Sequence, residues 1–149
     1  MLEFPIDDEI VKEQRARSIV SDQDWYCLNS FLIVALHNGL SYLTKGNSYP
    51  SNKTWLQWHQ ELVTIIAKLK WLHDFDDISM SLYEWCLGKT TMKLVDTATK
   101  NKQCVFTHEK QENVDWYFHE AMPALESRKK QIADFVFDWI KINFEDLWD

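Results

Sequence analysis

The sequence predicts an all-α fold, a compact bundle or orthogonal array of five to six helices, on three observations. Only three Gly and three Pro occur in 149 residues, too little turn chemistry for the many tight connections of a sandwich or barrel. Two segments open on capping-box patterns, Thr54 with Gln57 and an acidic variant, Ser21 with Asp24. Apolar residues then recur at three- and four-residue spacing along three long stretches. A chain of this length buries roughly 68–70% of its extended surface, enough for one core without a metal or disulfide staple. Residues 1–149 therefore read as a single helical domain.

The first element covers residues 5 to about 19, with Asp7, Asp8 and Glu9 leading and Lys12, Arg15 and Arg17 following, the charge order a helix dipole favours. The second opens at Ser21 and places Trp25, Leu28, Phe31, Leu32, Leu36 and Leu40 on one face before Gly46 closes it. Residues 46–53 form the clearest loop. A third helix starts after Thr54 and carries Trp55, Trp58, Leu62, Ile65, Leu69 and Leu72 at helical spacing. Asp76 or Asp77 is expected to cap a fourth, running through Ile78, Leu82 and Trp85 to a stop at Gly88.

Residues 90–108 admit two readings, a short β-hairpin built on the β-permissive pieces 92–95 and 104–107, or a helix followed by a loop. A further helix runs from Gln111 to Pro123, where a kink or a new start is expected. The last and longest helix, from Ala124, turns Leu125, Ile132, Phe135, Val136, Trp139, Ile140 and Leu147 to one side.

Formal net charge is −7, concentrated at the two ends. That balance disfavours direct nucleic-acid binding, which relies on Lys and Arg displacing counterions; the basic islands at residues 89–110 and at Arg128, Lys129 and Lys130 sit among acids. The three cysteines, Cys27, Cys86 and Cys104, form no close pair, which suits a reducing cytoplasm and indicates neither a structural zinc nor a redox site. The start of the chain bears Glu3, Asp7, Asp8 and Glu9 where a signal peptide needs basic and then apolar residues. The longest apolar run is residues 31–36, against about 20 residues for a membrane span. No cofactor and no membrane contact are expected.

Catalytic signatures are few. Leu87-Gly88-Lys89-Thr90-Thr91 has the tail of a phosphate-binding loop but Tyr83 where the earlier Gly belongs. Asp115 and His119 share a helix face, a two-ligand spacing that does not make a metal site by itself. His37, then His73-Asp74, then Asp134 form a more interesting order. It resembles the H…HD…D signature of HD-domain phosphohydrolases, and locally the likeness covers Leu72-His73-Asp74-Phe75-Asp76-Asp77 after an apolar helix. The resemblance implies an all-α metal-dependent phosphohydrolase, with His37, His73, Asp74 and Asp134 holding a divalent ion that generates hydroxide. Read on their own terms, His73 and Asp74 close one helix and Asp76 or Asp77 opens the next.

What the composition leaves to explain is eight Trp and five Tyr in an acidic chain. Aromatic anchors within a negative rim are what an inhibitor or adaptor offers a basic protein partner. The leading expectation is therefore a stoichiometric protein-binding module of the toxin-immunity or phage and mobile-element inhibitor type, with homo-oligomerisation left open. The C-terminal stretch carries the expected surface. Phe137, Phe144 and Trp148 exceed what one buried face needs, and Asp138, Glu145 and Asp146 surround them.

Overall fold

The computed structural model describes residues 1–3, 9–18, 27–96 and 102–147, and 72% of them are helical. Among these residues are α1 (Glu9–Ser18), α2 (Leu28–Leu43), α3 (Trp55–His73), α4 (Phe75–Leu87), β1 (Thr90–Asp96), β2 (Lys102–His108) and α5 (Met122–Ile142). The expected dipole partners Asp7 and Asp8, the Ser21–Asp24 box, Trp25 and Trp148 lie outside the described residues. The chain divides into two compact units, Met1–Asp74 with Ile132–Asp149, and Phe75–Gln131.

In the first unit α3 supplies the central wall of the core. Its capping box is complete: Thr54 Oγ1 accepts the Gln57 amide at 3.2 Å, and Gln57 Oε1 accepts the Thr54 amide at 3.0 Å. Trp58, Leu62, Ile65, Leu69 and Leu72 are buried along the expected face, against Leu40 of α2 and Ile132 and Val136 of α5. Each such side chain contributes about 1.5–3 kcal/mol before conformational entropy is subtracted.

On α2 the buried face differs from the expected one. Phe31, Val34, His37 and Leu40 point inward, while Leu28 and Leu32 are exposed. An unbroken apolar run over residues 31–36 fits more than one helix face, and the packed face follows a three-residue step that takes His37 in with it. The chain start is tied to this helix: the Leu2 amide donates to Asn38 Oδ1 and Asn38 Nδ2 donates to the Leu2 carbonyl, both at 2.9 Å.

In the second unit, α4 follows α3 after a single residue, Asp74, whose amide bonds back to the Lys70 carbonyl at 3.0 Å. Asp76 and Asp77 therefore occupy the first turn of α4, where their charge faces the positive end of the dipole, instead of capping it. Phe75, Cys86 and Leu87 are buried, and Trp85, expected inside, is 69% exposed. Gly88 ends the helix at φ 66°, a left-handed conformation that costs an L residue about 1–2 kcal/mol.

Of the two readings for residues 90–108, the described part is the strand pair: β1 and β2 run antiparallel, with Thr90 opposite His108 and Asp96 opposite Lys102. After it come a 3₁₀ turn at Gln111–Asn113, a short helical stretch at Val114–Trp116 and a π-helical turn at Tyr117–Ala121. The wide turn suits Pro123, which has no amide to offer the preceding turn. No helix among the described residues is long and apolar enough to cross a membrane.

Candidate functional site

The end of α5 and the residues that follow it belong to the first unit. Ile132 and Val136 are buried there, and Trp139, Ile140 and Leu147 pack against the same core. That inward stripe rotates the intervening positions outward. Phe137 is 49% exposed, Ile142 79% and Phe144 55%. Asp138 and Glu145 are exposed with them and Asp146 is half-buried. Asn52, Lys141, Ile142, Phe144, Glu145 and Asp146 line an open depression of about 780 Å³. Phe135, expected on the inward stripe, is also turned out, with Lys68 Nζ 4.7 Å above its ring.

A polar network anchors this segment from beneath. Lys53 Nζ donates to Glu61 Oε2 at 2.5 Å and to Asn143 Oδ1 at 2.6 Å. Trp139 Nε1 donates to the same Glu61 oxygen at 2.9 Å, and Asn143 Nδ2 donates to the Trp139 carbonyl at 2.8 Å. Trp139 stacks on Trp58 at 5.5 Å, and Lys53 Nζ lies 4.9 Å from a Trp58 ring centroid. Burial alone would push the Glu61 carboxyl up, but the Lys53 and Trp139 hydrogen bonds with the Lys53 charge outweigh it and hold the group below 4.5. Lys53 ends the loop expected at residues 46–53, and Asn143 belongs to no motif. The two are 90 residues apart, and no spacing rule links them.

The four residues carrying the HD-domain resemblance stand in different local settings. His73 Nδ1 lies 3.0 Å from Asp74 Oδ1, and Lys70 pairs with the same carboxylate. The Lys70 hydrogen bond first, then that of His73, hold the Asp74 carboxyl below its usual range. His37 is buried in α2, its Nδ1 3.2 Å from Asn38 Oδ1, and Asp134 is exposed on α5. Among the described residues no three His, Cys, Asp or Glu side chains form a group able to hold a metal. His73 and Asp74 stand at the C-terminal end of α3, where a basic last turn and its partner suit the helix dipole. His119 Nδ1 likewise meets the Asp115 carbonyl at 2.8 Å, within one helical turn, and not its carboxylate.

The second unit holds a cluster that the sequence did not announce. At the base of the hairpin, Thr90 Oγ1 lies 2.9 Å from His108 Nδ1, and Tyr83 Oη lies 2.8 Å from Thr90 Oγ1 and 3.3 Å from His108 Nδ1. The Lys89 amide donates to Glu109 Oε2 at 3.1 Å beside Gly88. A motif tail that invited comparison with phosphate-binding loops is here a helix stop followed by a strand. Tyr83 and His108 come together only through strand pairing, so their sequence separation of 25 carries no signal. No described side chain leaves a buried nitrogen or oxygen without a hydrogen-bond partner, so neither cluster presents an orphaned group to a ligand.

Compared with known proteins, the chain matches no family model, no curated protein and no solved structure.

Proposed function

We propose that this protein is a stoichiometric protein-binding module, an inhibitor or adaptor, that engages a basic partner through its C-terminal stretch. The observation that carries the reading is the exposure of Phe137 and Phe144 among Asp138, Glu145 and Asp146. Exposed aromatic area supplies the anchors of an interface, and carboxylates at its rim steer a positively charged partner toward it. The Lys53–Glu61–Trp139–Asn143 network favours the same use, because a surface already held in place costs less to order on binding. Toxin-immunity proteins and phage or mobile-element inhibitors of nucleic-acid enzymes are the type of module meant, since their targets expose basic surfaces. The free thiols of Cys27, Cys86 and Cys104 are compatible with work in a reducing cytoplasm.

The test is capture on immobilised protein in three forms: wild type, Phe137→Ala with Phe144→Ala, and Asp138→Lys with Glu145→Lys. A basic protein retained by wild type and lost from both variants is the expected result. Equal retention by all three forms, each folded by circular dichroism, contradicts the proposal.

A further inference from the structure

A hairpin standing alone is marginally stable in water and needs a third strand, or a helix against its apolar face. Among the described residues the support is at the base, where Tyr83 of α4 meets Thr90 and His108. Beyond that point every residue of both strands is exposed. The register sets Met92 beside Phe106 and Leu94 beside Cys104, and opposed residues of an antiparallel pair share a face. That face is apolar and open: Met92 and Leu94 are each 60% exposed and Phe106 57%.

The two edges of the hairpin are not equivalent. The Glu109 amide donates to the Lys89 carbonyl at 3.0 Å, so the backbone groups of 89 and 109 face each other across the ladder. Alternation along the ladder then turns the backbone groups of Gln103, Val105 and Thr107 toward β1, and those of Cys104 and Phe106 outward. The outer edge of β1 has Lys93 at its midpoint, a charge of the kind that blocks strand addition. The midpoint of β2 is Cys104-Val105-Phe106, with no charge between Lys102 and the strand's end.

We propose that two copies of the chain join along β2, antiparallel about a two-fold axis at Val105, and so form a four-stranded sheet. A second copy is the occupant because β2 is complementary to itself in this register. Val105 meets Val105, Cys104 meets Phe106, Gln103 meets Thr107 and Lys102 meets His108, so no two lysines or carboxylates oppose each other. The same operation on β1 would set Lys93 against Lys93, and like charges directly opposite are destabilising. Such a contact is isologous and closes at two chains. It uses a surface other than the C-terminal stretch and stands whether or not that stretch binds a partner.

Cross-linking of the full-length protein tests the register. At the axis the Val105 pair is non-hydrogen-bonded, with Cα atoms about 4.5 Å apart, within disulfide reach. Val105→Cys in a Cys104→Ser background should form a covalent dimer under mild oxidation, while Lys93→Cys in the same background should not. Light scattering of the wild type should give twice 17.8 kDa, and Val105→Lys should weaken the dimer at least tenfold while retaining the helical circular dichroism spectrum. A monomeric wild type at about 100 µM, equal cross-linking at position 93, or a dimer indifferent to Val105→Lys would each overturn the proposal. Pairing of β2 with a strand of a different protein, the free chain being monomeric, overturns it as well.

Discussion

Glu61 is a carboxylate half-shielded from water that takes hydrogen bonds from Lys53 and Trp139 on one oxygen. Replacing Lys53 by Met keeps an aliphatic stem near Trp58 and removes the charge, and with it the hydrogen bonds to Glu61 and Asn143. Hydrogen bonds to charged groups contribute about 1.5–3 kcal/mol, less where water reaches the pair, so a loss of about 1–2 kcal/mol is expected. The sign of its pH dependence follows from the depressed Glu61 value. Its stabilisation is fully present above the ordinary carboxylate value of 4.5 and is lost as pH falls through the lower folded value. Melting curves from pH 7 to pH 3 should therefore show the gap between wild type and Lys53→Met closing on acidification; a gap independent of pH would separate Lys53 from Glu61. None of this was legible in the chain, because Lys53 and Asn143 meet only when α3 and α5 pack. Trp58, Leu62, Ile65, Leu69 and Leu72 were legible, because one helix fixes their common face before any packing occurs.

At the scale of elements, the termini were easier to read than the orientations. The Thr54–Gln57 box and the stop at Gly88 are local chemistry and stand where the residues put them. Faces depend on neighbours. Trp85 and Phe135 satisfied a helical period yet turned outward, and His37 broke one yet turned inward, since an apolar-rich helix offers several faces and the core selects one. Gly88 makes the sharpest prediction at this scale. An added Cβ would sit 2.8 Å from Glu109 Oε2 at a φ of +66°, combining steric conflict with left-handed strain. Gly88→Ala should lower stability by about 1–2 kcal/mol or more. Adding Glu109→Ala should restore the part due to the carboxylate and not the part due to φ or to the Cβ of residue 109, which stays 3.0 Å away. Full recovery in the double variant would show that the backbone carries no strain.

For the molecule as a whole, α5 contributes residues to both compact units, and the proposal that residues 1–149 act as one domain requires them to unfold together. Calorimetric and van't Hoff enthalpies should agree for the wild type, and Gly88→Ala should shift the entire transition, not only a part of it. Two resolved transitions would make the units separate domains. The central claim remains the C-terminal interface. It is tested most directly by the dissociation constant for the basic protein captured by wild type, measured for wild type and for Phe137→Ala with Phe144→Ala, alongside both melting temperatures. Hot-spot aromatics contribute about 2–4 kcal/mol, so affinity should fall about 30- to 1,000-fold at an unchanged melting temperature. A folded double variant that binds as tightly as wild type, or one whose weaker binding follows from a collapsed melting temperature, would contradict it.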